Sequence, residues 1–210
     1  MVTIKTDSIA VDYIRRMEHG IIITVGSGKQ GKSCSLHSLL DLCFPYRDKY
    51  LLDTLDFDVS IFPRYELVHE TKDIPTGAVV IIEDVNRIFQ SRGSGKRGDL
   101  QGWLSIISHK SNLVCITTQN VADTDIAFLR SQDAVIMNKY MHTEDMQFER
   151  PEFKMGQAEA NWAIDYACSQ CPQIDRRSWC YFPRFHNIVA IKPVPWWSYK
   201  NSHMFRDVVI

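Results

Sequence analysis

The chain has 210 residues, 45% of them hydrophobic and 23% charged, and a formal net charge of −1. This is ordinary soluble globular composition, and the length suits one domain over 1–210, or one with an excursion. No apolar run approaches the ~18 residues that span a bilayer, the N-terminus has no signal-peptide architecture, and near-neutral charge leaves any nucleic-acid contact to local patches, so a cytoplasmic protein is expected.

The first strong element is Ile21-Ile22-Ile23-Thr24-Val25, an apolar run that reads as a buried strand. Directly after it stands Gly26-Ser27-Gly28-Lys29-Gln30-Gly31-Lys32-Ser33, which is G-x-x-x-x-G-K-S without departure. Residues 33–43 continue with a helical pattern, so the motif has the strand–loop–helix context of a phosphate-binding loop. Glycines let the backbone wrap an anion closely, loop N–H groups point at phosphate oxygens, and the helix N-terminus adds partial positive charge. Lys32 is expected to neutralise the β- and γ-phosphates of a nucleotide, and Ser33 to ligate Mg²⁺.

Weaker strands are expected near 50–52 and 66–69, and a stronger one at 78–82. The last leads into Val79-Val80-Ile81-Ile82-Glu83-Asp84, an apolar strand that ends in two carboxylates. This is the shape of a Walker B element. Beside a phosphate loop it puts one carboxylate near Mg²⁺ and the other near the attacking water. Register assigns Glu83 to the Mg²⁺–water shell and Asp84 to the general base. Motor ATPases more often run Asp then Glu, so the order of the two roles is open. Residues 91–98 form a Gly-rich loop with Arg92, Lys96 and Arg97, and a helix is expected at 99–108. Residues 113–118 read as another buried strand, and Gln119 at its tip is placed to sense a γ-phosphate or orient water.

A strand at 134–137, a helix at about 156–168 and a strand at 188–192 complete the pattern. Strands alternating with helices, several of them apolar throughout, predict an α/β fold with a mostly parallel central sheet flanked by helices. Residues 140–186 are expected as a small irregular excursion packed on that sheet. Within it Cys168, Cys171, Cys180 and His186 have zinc-type donor atoms at no recognised spacing, which leaves free, bridged and metal-bound cysteines open. The tail, Lys192-Pro193-Val194-Pro195-Trp196-Trp197-Ser198-Tyr199, is expected to dock on the body or on a neighbouring subunit.

Phosphate loop, acidic strand end and polar strand tip, in that order, match the additional-strand, catalytic-carboxylate (RecA-like) branch of P-loop NTPases. In that branch the strand with the polar tip usually lies between the other two. Residues 79–84, Ser108-His109-Lys110, 113–119 and Pro193-Val194-Pro195-Trp196-Trp197 resemble the FtsK/HerA superfamily, over most of 20–140 plus the tail. The compact size is similar to that of genome-packaging ATPases of icosahedral, internal-membrane viruses, including those infecting archaea. The resemblance implies ATP hydrolysis in a homo-oligomeric ring, with ATP and Mg²⁺ as cofactors. It implies translocation of double-stranded DNA into a capsid, contact with capsid or portal/vertex proteins, and a location in host cytoplasm or virion. Family members often carry an Arg before the polar-tipped strand, where this chain has His109-Lys110. A trans-acting cation is then sought among Arg87, Arg92, Lys96, Arg97, Lys110 and Arg130, with Arg92 favoured as the arginine finger and Lys96 and Arg97 as DNA contacts.

Two alternatives stand beside this reading. A small nucleotide or nucleoside kinase has a fitting size, with 91–98 as a phosphate-closing lid, but Glu83-Asp84 and Gln119 suit water activation, which kinases avoid. A filamentous-phage-type assembly or secretion ATPase shares the motifs, but the lack of a membrane-spanning run counts against it.

Overall fold

Runs of β-branched and apolar residues without polar alternation form strands that are covered on both faces. In the computed structural model, which describes residues 8–53, 59–60, 62, 64–85, 109–119, 121–122, 124, 128 and 134–198, such runs build one central sheet. Its strands are β1 (Gly20–Val25), β2 (Lys49–Leu52), β3 (Tyr65–Val68), β4 (Val79–Ile82), β5 (Leu113–Thr118), β6 (Ala134–Asn138), β7 (Trp179–Phe182) and β8 (Asn187–Ala190). They lie in the order β3-β2-β4-β5-β1-β6-β7-β8. From β3 to β6 every pairing is parallel, and β7 and β8 close that edge as an antiparallel pair. The expected α/β architecture with a mostly parallel sheet is the one observed.

The described helices are α1 (Ile9–Arg15), α2 (Lys32–Cys43), α3 (Thr143–Met146) and α4 (Pro151–Gln170). Strand alternation divides the core into two layers. Ile22 faces α1 and α2 together with Leu36, Leu39 and Leu40, whereas Ile21, Ile23 and Val25 face the opposite layer with Val80 and Ile82. Ser8 caps α1 by accepting the Val11 N–H at 3.0 Å.

The segment 140–186 corrects the expectation of an irregular excursion. It holds α3, the 20-residue α4 and β7, which pairs with both β6 and β8. The helix also starts earlier than expected, at Pro151, a residue whose missing N–H costs nothing in a first turn. β8 ends at Ala190 rather than 192, and α1 was not anticipated. The loop at 91–98 and the helix at 99–108 lie outside the described residues.

At the end of the sheet where the parallel strands begin, one side chain gathers the turns. Arg47 donates to the carbonyls of Gly77 at 2.9 Å, Ser111 at 2.7 Å, Glu18 at 3.1 Å, Ala78 at 3.3 Å and Met17 at 3.4 Å. These carbonyls precede β1, β4 and β5, the three strands whose other ends form the site described next. Arg47→Ala should therefore lower stability by about 2–4 kcal/mol, since it strands several carbonyls at once. Urea denaturation measures this, with Arg47→Lys expected to recover only part, because an ammonium has no planar fork.

Candidate active site

Parallel pairing with β5 between β1 and β4 brings the C-terminal ends of all three strands side by side. The 26–33 loop leaves β1 there and enters α2. Its two most constrained positions are glycines for reasons of space and of backbone. At Gly26 (φ +152) a Cβ would lie 2.7 Å from the Lys139 Cβ, and at Gly31 (φ +77) one would lie 2.8 Å from the Arg177 carbonyl oxygen.

Residues from the far side of β6 hold the loop. Lys139 N–H donates to the Val25 carbonyl at 2.7 Å, and Ser27 N–H to the Tyr140 carbonyl at 3.1 Å. Ser27 Oγ accepts the His142 N–H at 2.7 Å and donates to the Asp145 carboxylate. Gln30 Nε2 lies 3.1 Å from His142 Nε2. Lys139 itself is fully buried and donates from Nζ to the carbonyls of Arg177 at 2.6 Å and Trp179 at 2.7 Å, and to Ser35 Oγ at 2.8 Å. Lys32 Nζ folds back on the loop, donating to the carbonyls of Gly26 at 2.8 Å and Ser27 at 3.0 Å. Burial lowers its pKa, against the opposing pull of Glu83, Asp84 and Asp145.

Opposite the loop stands Glu83, only 3% exposed. Ser33 Oγ donates to its Oε2 at 2.8 Å, and Thr117 Oγ1 donates to the same oxygen at 2.7 Å. His37 Nε2 lies 2.9 Å from Oε1, and His37 Nδ1 lies 2.8 Å from the Tyr65 hydroxyl. A carboxylate only accepts, so Nε2 donates, and a neutral ring then takes the Tyr65 proton at Nδ1. Burial pushes the Glu83 carboxyl up, but hydrogen bonds from His37, Thr117 and Ser33 outweigh it and hold the group below the ordinary carboxylate value. Asp84 differs: it is half-buried, adopts φ +51, and gives its N–H to Thr117 Oγ1 at 2.8 Å. Two neighbouring carboxylates thus sit in unlike surroundings.

The pairing of a hydroxyl with a carboxylate oxygen at Ser33 and Glu83 fits Mg²⁺, a hard cation that takes few protein oxygens and leaves its other positions to phosphate and water. Among the described residues no three His, Cys, Asp or Glu side chains gather to hold an ion by themselves. The zinc option is not realised there either: all six cysteines are free, Cys180 accepts from Lys139 Nζ at 3.4 Å, and Cys171 packs with Trp179.

Gln119 is exposed directly beyond the end of β5. Lys110 lies at the opposite end of the strands, ahead of β5, where its Nζ donates to the Ile74 carbonyl at 3.1 Å. Arg87, Arg92, Lys96, Arg97 and Arg130 lie outside the described residues. Sequence reasoning missed His37, Thr117 and the 139–145 clamp. His37 was findable, since it stands four residues after Ser33 and so on the same helix face.

No protein-family model matches the chain, and no curated protein matches it by sequence. Solved structures do match. The genome packaging NTPase B204 from Sulfolobus turreted icosahedral virus 2, in complex with AMP, superposes with a TM-score of 0.53 at 17% identity, covering 84% of this chain and 98% of that one. The same NTPase in complex with ATP-gammaS gives 0.53 at 15% identity, covering 85% and 99%. B204 from Sulfolobus Turreted Icosahedral Virus, a DNA-packaging ATPase, gives 0.50 at 13% identity, covering 84% and 98%. The chain therefore has the P-loop NTPase fold of these proteins, in agreement with the resemblance read from its sequence.

Because the folded pKa of Glu83 lies below its unfolded value, its stabilising contribution is complete above the ordinary carboxylate range and is lost as pH falls through the depressed value. Glu83→Gln should thus be less stable than the parent at pH 7, and the gap should narrow below about pH 4. Thermal melting of both proteins between neutral and acid pH measures this.

Proposed function

We propose that this chain is a Mg²⁺-dependent ATPase whose turnover drives packaging of double-stranded DNA into a viral capsid. The observation that carries the hydrolase part is the pair of adjacent carboxylates beside the phosphate loop, one buried and fully hydrogen-bonded, the other half-exposed. Backbone N–H groups of the 26–33 loop hold the phosphates, and Lys32 exchanges the carbonyls of Gly26 and Ser27 for β- and γ-phosphate oxygens. Ser33 would hold Mg²⁺ directly and Glu83 through its water shell, and the ion when bound would neutralise charge on the phosphate oxygens. Asp84 accepts the proton of the attacking water, and Gln119 orients that water or the γ-phosphate.

The packaging part is supported by the shared fold with B204, named a genome packaging NTPase and a DNA-packaging ATPase. In this reading the active form is a homo-oligomeric ring in the host cytoplasm, docked on capsid or vertex proteins. Arg92 of one subunit reaches a neighbour's nucleotide, and Lys96 and Arg97 face DNA phosphates.

Phosphate release without any acceptor, stimulated by double-stranded DNA of any sequence, is the expected behaviour. Phosphoryl transfer to a nucleoside or nucleotide acceptor would favour a kinase instead. Lys32→Ala should reduce turnover about 100-fold or more, through loss of the cation on the developing phosphate charge. Asp84→Asn should lose about 10²–10⁴-fold in kcat, the worth of a general base, while ATP binding stays within about two-fold. Near-normal turnover in Asp84→Asn, with Glu83→Gln inactive, would exchange the two roles.

A further inference from the structure

His37 is completely buried and enclosed by rings: Phe62 at 5.4 Å between centroids, Tyr65 at 5.3 Å, Trp196 at 6.0 Å, and Trp197 stacked at 5.3 Å with 28° between planes. Two of those rings come from the stretch after β8. Residues 191–198 run across α2 as a strap. Ile191 N–H donates to the Ser178 carbonyl at 2.9 Å, Val194 N–H to Ser38 Oγ at 3.1 Å, and Trp196 Nε1 to Asp41 Oδ2 at 2.8 Å. The strap thus grips α2 at Ser38 and Asp41 and presses its indoles on His37 of the same helix. Asp41 is held from the other side by Lys49 Nζ at 3.2 Å, which itself lies over the Tyr65 ring at 5.8 Å.

An apolar side chain would fill this cage as well as an imidazole. What only the imidazole does is hydrogen-bond at both nitrogens, with the Tyr65 hydroxyl on one side and with Glu83 Oε1, the contact that reaches the site, on the other. The other oxygen, Oε2, faces Ser33 and Thr117. A Ser33 hydroxyl that gave a lone pair to a metal ion would keep its proton on Oε2, so Oε2 would face the water shell of that ion. The carboxylate would keep that plane only if Oε1 stayed fixed.

We infer that His37 is the positioning residue for Glu83, holding Oε1 so that Oε2 is the oxygen presented to the water shell of the metal, and that the 191–198 strap sets the ring that does so. This rests on the reading that Glu83 belongs to the Mg²⁺ shell. It adds a mechanical link from the strap, outside the phosphate loop, to the metal-binding carboxylate.

The experiment is calorimetric titration of a non-hydrolysable ATP analogue, in Mg²⁺ and in EDTA. The ratio of the two affinities reports metal coupling without any turnover. His37→Leu fills the cage but removes the donor. It should reduce the ratio about 10- to 100-fold, the range for outer-shell partners of a metal-binding group, with the affinity in EDTA unchanged. His37→Gln, which keeps an amide donor, should recover part of the loss. Trp197→Ala leaves both ring nitrogens in place and touches no ligand. It should reduce the ratio by a smaller factor at a temperature where melting shows the protein folded, an effect that a purely packing role would not produce. Parent-like ratios in folded His37→Leu or folded Trp197→Ala overturn the inference. Glu83→Gln separates the two levels. If it abolishes the coupling while His37→Leu does not, the role of His37 has failed. If Glu83→Gln itself leaves the ratio intact, the metal role of Glu83 has failed and the inference falls with its premise.

Discussion

A carboxylate taken out of water must have its lone pairs met by donors, or it gives up its charge. Glu83 satisfies that condition with side chains from two other elements, Ser33 and His37 of α2 and Thr117 of β5. The requirement fixes much else. Ser33 and His37 reach one carboxylate because they stand one helical turn apart. Thr117 reaches it because β5 pairs with β4 in the register Ile82↔Ile116, which puts the next residue of each strand side by side. A slip of β5 by one residue would turn Thr117 to the other face of the sheet. One buried ion therefore sets the relation of a helix to two strands.

The loop's other flank follows the same rule with the sign reversed. Lys139 is a buried ammonium whose donated bonds go to two carbonyls, a hydroxyl and a thiol sulfur rather than to an acid. An ammonium has three protons to share among these four acceptors, two of which are carbonyls that would otherwise be stranded under the loop. Ser35 is shared by this arrangement and α2, as Ser33 is shared by α2 and Glu83. The first turn of α2 is thus anchored on both sides, which leaves its backbone N–H groups little freedom to drift from the loop they continue.

How much of this could be read from residues alone follows the distance along the chain between partners. The phosphate loop with its strand and helix is contiguous, and so is the apolar strand that ends in Glu83-Asp84. Both were legible. The middle position of β5 was legible only through the order of the motifs. The clamp at 139–145 was not, because no local signal marks Ser27 as the partner of His142 and Asp145. β7 escaped because Trp-Cys-Tyr-Phe is short and has no β-branched residue, unlike the equally buried β1, β4 and β5. In α4 the inner face is mostly small: Ala160, Ala163 and Ala167 turn inward with Ile164, where small residues allow close approach to β7, while Trp162 at 68% and Tyr166 at 56% exposure stand outside. Large apolar residues on both sides leave the inner face of that helix ambiguous in the sequence.

The glycines of the loop have a consequence for the order of assembly. Their shape is moulded against Lys139 and Arg177, and 115 residues separate Ser27 from its partner His142. Contacts of such long sequence separation close late, because loop entropy must be lost before they form. On a ribosome the motif emerges well before the floor on which it rests. A nascent chain therefore displays the signature of a nucleotide site for some time without possessing one, and capture of a ligand becomes a mark of completed folding. By mass action, a ligand that binds only the finished loop also stabilises the distant edge of the sheet that finishes it.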